Sequence, residues 1–294
     1  MDRESAKIYI IGAGISGLTA AKTLTENGYH PFVLEATGGP GGRVKTDKQG
    51  GLYYDHGFQV LLTAYPQAQK HLDYSELNLH RFKPGAMIFY QGEVHRIGDP
   101  LRDLESFWPT MKASVGTLSD KWKIFRLASK LKKKSIEAIF SSQATTTLEY
   151  LKDYGFSDRI IQTFFKPFFT GIFLEKDLRT SSRMFEFTFK MFSEGEAALP
   201  DAGIGAISNQ LAASLKHCQF HYMEPVARVS GGKVVMQDGE TLEADGVVTT
   251  IPLDPESGEP RPAAVPWKRC DNLYFATASR EIPEGIIGLV ADAD

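Results

Sequence analysis

Cysteine is scarce. Cys218 and Cys270 are the two thiols in 294 residues, and they form no C-x-x-C pair. That excludes a disulfide framework and a cysteine-rich metal site, and both thiols read as buried groups in a reducing compartment. A long apolar run is also lacking: no stretch approaches the roughly eighteen residues that would span a bilayer. The segment Met1–Ile11 has no extended hydrophobic region of the signal-peptide kind, so the cytoplasm is the expected location. There is no basic excess either. With 33 Lys and Arg against 36 Asp and Glu, the net charge of −3 gives no bulk drive toward nucleic acid. No Ser/His/Asp set and no metal-spaced histidines occur. What remains is an ordinary globular composition, 42% hydrophobic and 23% charged, in a chain long enough for two domains.

The first forty residues carry the strongest signal. Ile8-Tyr9-Ile10-Ile11 reads as a buried strand, Gly12-Ala13-Gly14-Ile15-Ser16-Gly17 follows at once, and Leu18–Asn27 reads as a helix closed by Gly28. Phe32-Val33-Leu34 is a second strand ending on Glu35. Gly12 permits the sharp strand-to-helix turn, Gly14 lets backbone N–H groups approach a pyrophosphate, and Gly17 allows close helix–strand packing. The helix N-terminus offers unpaired donors and partial positive charge to phosphate. Glu35 is placed to accept the hydroxyls of an adenosine ribose and to repel a 2′-phosphate. Strand before, helix after and acid at the tip together indicate a dinucleotide site.

Further on, Gly41, Gly42, Arg43 and Thr46 form G-G-R-x-x-T after Glu35-Ala36. Taken with Gly12, Gly14 and Gly17, this pattern resembles the flavin-containing amine oxidase superfamily, which includes amine oxidases, protoporphyrinogen oxidase and carotenoid desaturases. The resemblance implies an FAD cofactor, with Arg43 near its pyrophosphate, a role that suits a permanently charged forked donor. Thr37, Gly38 and Gly39 stand where the family usually carries basic residues, so one side-chain contact to the cofactor is expected to be missing. Asp55-His56-Gly57-Phe58-Gln59-Val60 resembles the family's acid-then-glycine signature before the flavin ring, although a strand ending in a turn reads the same way. The implied cofactor-binding set is Gly12, Gly14, Ser16, Gly17, Glu35, Ala36, Gly42, Arg43, Gly57, Phe58, Gln59 and Val226. Val226 enters by its spacing from a returning strand at Val247–Pro252.

The middle of the chain changes texture. Ala86–Tyr90 and Val94–Ile97 flank a tight turn and read as a hairpin. Leu101–Phe140 reads as helix, broken at Pro109 and Gly116. Lys121–Lys134 holds seven basic residues and no acid, with Ile124, Leu127, Ala128 and Leu131 in one stripe. Two readings stand for it: a solvated basic face, or a peripheral membrane contact. Phe164–Phe173, with Phe185, Phe187, Phe189 and Phe192, either packs a core or lines an apolar cavity. Lys166 and His56 are candidate catalytic side chains, and neither residue type nor spacing singles one out.

The expected fold class is α/β: an FAD/NAD(P)-binding Rossmann-like domain with a β-meander, plus an α+β substrate domain. Residues 1–78 and 196–253 are assigned to the first, residues 79–195 and 254–294 to the second. The resemblance also implies a second, C-terminal cofactor signature, which does not occur before Asp294. The expectation is therefore a truncated flavin end with reduced FAD occupancy and turnover. The expected function is removal of a hydride equivalent from an apolar or amine-containing small molecule. A polyene desaturase and an FAD-binding protein without turnover are the alternatives.

Overall fold

The computed structural model describes residues 3–57, 59–98, 107–254, 257–258, 268–279, 282 and 285–292. Its first strand, β1 (Ile8–Ile11), is the β-branched run. Ile10 faces one side of the sheet while Tyr9 and Ile11 face the other, the alternation a strand imposes. α1 (Ile15–Glu26) begins directly after the glycine turn and is closed by Asn27, with Gly28 left-handed at φ +82. β2 (Phe32–Glu35) then pairs with β1 in parallel. β3 (Thr46–Gln49) and β4 (Leu52–Asp55) make a hairpin over Gly50-Gly51, followed by β5 (Leu61–Leu62), α2 (Pro66–His71) and β6 (Leu79–Arg81).

The expected second hairpin is β7 (Gly85–Tyr90) with β8 (Glu93–Gly98). The helical stretch resolves into α3 (Phe107–Lys112), α4 (Leu118–Lys133) and α5 (Ile136–Ser141); its expected first six residues lie outside the described residues. Pro109 does not break α3. It sits in the opening turn, where its missing N–H has no intrahelical partner to lose. The break comes at Ala113–Thr117, where a Cβ on Gly116 would stand 2.7 Å from Ile160 Cδ1. α6 (Thr147–Asp153), α7 (Asp158–Ile160), a π-helical turn (Ile161–Phe165), α8 (Lys166–Phe173) and α9 (Ser182–Glu194) complete this part. Their core gathers Leu127, Leu131, Leu151, Ile160, Phe165, Phe169 and Phe185. Among the described residues no helix is long and apolar enough to cross a membrane.

The chain then returns. β9 (Ala197–Pro200) pairs with both β5 and β6. α10 (Ala206–Ser214), β10 (Gln219–Tyr222), the meander β11 (Val226–Ser230), β12 (Lys233–Met236) and β13 (Thr241–Glu243), and β14 (Gly246–Thr249) follow. β15 (Ile287–Val290) pairs with β7. The parallel sheet has the order β10-β2-β1-β14. α1 and α10 cover one face through Leu18, Ala21, Ile207 and Leu211, and the meander covers the other through Val226, Val234 and Met236. This is the expected Rossmann-like α/β arrangement with its β-meander. A second sheet, β15-β7-β8, carries the helices of the middle segment as an α+β assembly.

Candidate cofactor site and adjoining cavity

The two glycine motifs meet in space. Gly41 N–H donates to Ala13 O at 2.9 Å, and Gly14 and Gly41 form a β-bridge. A Cβ on Gly42 would lie 3.3 Å from Gly14 Cα, so the second loop is packed against the first. The glycines divide by role. A Cβ on Gly17 would stand 1.9 Å from the Gly12 carbonyl oxygen, so packing alone requires glycine there. A Cβ on Gly14 would meet nothing within 4 Å, so no protein contact requires glycine at that position. α1 has no side-chain cap and no acid in its first turn, which leaves its leading N–H groups to another acceptor. Ser16 is exposed in that same turn.

Glu35 is buried at the tip of β2. Its Oε2 accepts from Ala13 N–H at 2.7 Å. Its Oε1 accepts from Thr37 N–H at 2.9 Å and from Thr37 Oγ1 at 2.8 Å. The carboxylate thus already holds three protein donors of about four that it can take, leaving room for one more on Oε2. Thr37, read from sequence as the place of a lost basic contact, orients this carboxylate instead. Ala36 is exposed beside it. Glu224 N–H donates to Glu35 O at 2.9 Å and Met223 N–H to Thr37 O at 3.1 Å, which brings the start of β11, and with it Val226, to the Glu35 end of the sheet. The Val226 side chain is buried between meander and sheet.

Arg43 is exposed on the loop, and its carbonyl accepts from Gln59 Nε2 at 3.3 Å. Gly57 has φ +99 and lines the cavity described below, and Phe58 lies outside the described residues. Asp55 and Thr46 pair across the β3–β4 hairpin, Thr46 Oγ1 donating to Asp55 Oδ1 at 2.5 Å. The same Asp55 oxygen accepts Ile204 N–H at 2.9 Å, and Thr46 Oγ1 accepts Gly205 N–H at 2.8 Å. These two side chains therefore cap the turn that starts α10. Sequence reasoning missed that role, because the partners lie about 150 positions away and no local pattern announces them.

From Gly57 a cavity of about 1590 Å³ opens into the second assembly. Phe82, Phe168, Phe192, Ile172 and Leu199 form apolar wall, Lys166, Lys176, Asp55 and Asp201 are its charged side chains, and His56 and His80 add imidazoles. The aromatic segment is split between its two readings: Phe165, Phe169 and Phe185 are core, while Phe168 and Phe192 line the cavity. His56 pairs with Asp47 at 2.8 Å, which lowers the Asp47 pKa mainly through that hydrogen bond, and His80 pairs with Asp201 at 2.7 Å. The two thiols differ, correcting the expectation that both are buried. Cys218 is partly covered and its pKa is pushed up to about 12 by burial, whereas Cys270 is exposed on the cavity wall near Gly57. Among the described residues no three His, Cys, Asp or Glu side chains gather as a metal site.

A parallel sheet with a glycine turn into an uncapped helix, an acid at the next strand tip and a meander on the far face define a dinucleotide-binding protein. The comparisons make the class narrower. Residues 15–279 match the family described as flavin containing amine oxidoreductase. Protoporphyrinogen oxidase 2 of Arabidopsis thaliana is 27% identical over 165 residues, 56% of this chain and 32% of that protein. The 15-cis-phytoene desaturase of the same plant is 36% identical over 102 residues, 32% of this chain and 18% of that protein. Among solved structures, an oxidoreductase from Methanosarcina mazei superposes with a TM-score of 0.61 at 19% identity, covering 83% of this chain and 58% of that one. A fatty acid isomerase from P. acnes gives 0.57 at 20%, covering 85% and 59%. The chain spans about a third or less of these curated relatives and under two thirds of these solved chains. It belongs to the flavin containing amine oxidoreductase family. FAD is the cofactor that membership brings.

Proposed function

We propose that the chain holds FAD across the β1–α1 turn and serves an FAD-dependent oxidoreductase acting on an apolar or amine-containing small molecule. The observation that carries this reading is the meeting of Gly14 and Gly42 at the uncapped start of α1. There the backbone leaves space and donors for a pyrophosphate that, among the described residues, no side chain fills or caps. Gly12, Gly14, Ser16, Gly17, Gly42 and Arg43 would hold the phosphates, and Glu35 and Ala36 the ribose. The backbone of Val226 would meet the adenine, and Gly57 and Gln59 would lie beside the ring system. In the same reading residues 1–78 and 196–253 form the cofactor unit and residues 79–195 and 254–294 the substrate unit, with the β5-β9-β6 sheet joining them.

When bound, the flavin would supply two-electron redox chemistry, accepting a hydride equivalent from a C–H bond while a proton leaves the neighbouring N or C and the C–N or C–C single bond between them becomes double. The chain's own contribution is positioning and exclusion of water. Phe82, Phe168, Phe192 and Ile172 offer an apolar surface to the substrate body, and the lysines and histidines of the wall, Lys166 and His56 among them, are its candidates for handling a proton. One observation favours a polyene over a cationic amine: two lysines, Lys166 and Lys176, face the cavity, while of the two carboxylates on its wall Asp201 is paired with His80 and Asp55 already accepts from Thr46 Oγ1 and Ile204 N–H. A protonated amine gains little there.

The purified chain is denatured and the released nucleotide identified by mass spectrometry; FAD is expected, and NAD or NADP would contradict the reading. Anaerobic mixing with an amine panel and with a polyene in detergent then shows which donor bleaches the flavin absorbance. Bleaching by dithionite alone would leave a binding protein without turnover.

A further inference from the structure

Helix α4 carries a second apolar row that the core does not use. The stripe visible in the sequence is the inward one: Leu127 and Leu131 are fully buried, with Ile124 and Ala128 packed beside them. At about 100° per residue, Leu118, Trp122, Phe125 and Ser129 fall on the opposite side. There Leu118 is 62%, Trp122 61% and Phe125 48% exposed.

The row is presented by a braced helix and not by a fraying end. Thr117 and Asp120 form a capping box, and Asp120 also accepts from Ser157 N–H at 2.9 Å and Ser157 Oγ at 2.7 Å. Lys121 Nζ donates to the Met111 and Ala113 carbonyls at 2.9 and 2.8 Å, fixing the end of α3 to the first turn of α4. At the other end Lys190 Nζ donates to the Leu131 and Lys132 carbonyls, both at 3.0 Å. Trp108, on the adjoining α3, is 69% exposed.

The charge around the row is of one sign. Arg126, Lys132 and Lys133 flank it, and the Arg126 guanidinium lies over the Trp122 ring at 5.7 Å. Asp120, the one acid of α4, is buried on the inward side. This patch belongs to a chain whose net charge is −3, so its sign is local and set against the whole.

We propose that this face of α4 is a docking surface for an anionic lipid bilayer. Leu118, Trp122 and Phe125 would enter the boundary between headgroups and acyl chains, while Arg126, Lys132 and Lys133 meet the lipid phosphates. Nucleic acid would call for cations along the centre of the face, where this helix has Leu, Trp and Phe. A second copy docked on the same face would set like charges against like. The proposal is independent of the cofactor reading, since no residue of the face lines the cavity or the glycine turn.

The test is co-sedimentation of the full chain with phosphatidylcholine vesicles, with and without phosphatidylserine. The wild type is expected to partition onto the phosphatidylserine vesicles and to be released by salt. The double variant Trp122→Ser/Phe125→Ser should bind at least about tenfold more weakly. Arg126→Gln/Lys132→Gln/Lys133→Gln should bind on the order of a hundredfold more weakly. Circular dichroism of both should match the wild type, because every altered side chain faces solvent. Equal binding to both vesicle types would overturn the proposal. So would unchanged binding by the aromatic double variant, or self-association or RNA binding abolished by these substitutions without vesicle binding in the wild type.

Discussion

Asp55 accepts the backbone N–H of Ile204 at 2.9 Å, joining the end of the β3–β4 hairpin to the turn that starts α10. With Thr46 Oγ1 accepting Gly205 N–H at 2.8 Å, a hairpin built early in the chain caps a helix built late in it. The family's acid at this position thus has a structural task as well as a place at the cavity wall.

Replacing Asp55 by Ala strands the Ile204 N–H and removes the partner of Thr46 Oγ1. The expected cost is about 1–3 kcal/mol in urea unfolding. Asp55→Asn retains an acceptor oxygen and should cost less than half of that. Equal losses in the two variants would mean that the hydrogen bond to Ile204 contributes nothing.

Gly17 and Gly14 should separate folding from binding. Gly17→Ala drives a Cβ against the Gly12 carbonyl and should cost about 3 kcal/mol or more. Gly14→Ala meets nothing within 4 Å, and Gly14 has the extended φ of −70 that any residue adopts. Its unfolding free energy should stay within about 0.5 kcal/mol of the wild type. Chemical unfolding of the two variants side by side checks this.

Asp120 supplies a pH dependence. Burial alone would raise its pKa, but hydrogen bonds from Ser157 and Thr117 more than offset that and hold the carboxyl below its ordinary value of 3.8. A depressed folded-state pKa means that this stabilisation is fully present above 3.8 and is lost as pH falls through the folded value. Between neutral and strongly acid conditions, Asp120→Asn should therefore show a shallower fall in melting temperature than the wild type. Parallel curves would contradict the role given to Asp120.

The two thiols should react at different rates. At about pH 8, an aromatic disulfide reagent should modify exposed Cys270 quickly and Cys218, with its pKa pushed up to about 12, slowly. Cys270→Ser should remove the fast phase. FAD added beforehand should slow that phase in the wild type, since Cys270 lies beside Gly57. A fast phase that survives in Cys270→Ser would contradict the assignment.

The β1–α1–β2 unit was legible because everything that specifies it is local: a β-branched run, three spaced glycines and an acid at a strand tip. Thr46 and Asp55 were legible as motif letters but not as a helix cap, since β3 and β4 are mostly exposed and show no alternation of apolar and polar residues. Local pattern in the sequence places Glu35 at a strand tip, while its bonds to Thr37 depend on a turn geometry that sequence does not display. The aromatic segment could not be divided in advance: Phe165 and Phe169 form one helical row and Phe164 and Phe168 the next, and only the neighbouring elements decide which row is core. α4 shows the same limit. Two apolar rows share one helix, and periodicity finds the stripe without saying which side meets a partner.

The space beside Gly14 is assigned to a cofactor. FAD titration of the stripped chain, followed by flavin fluorescence, tests that assignment in the wild type and in Gly14→Ala. Saturable binding is expected of the wild type and binding weaker by on the order of tenfold or more of the variant, at unchanged unfolding free energy. Equal affinity in both, or no binding by a wild type that is folded, would contradict it.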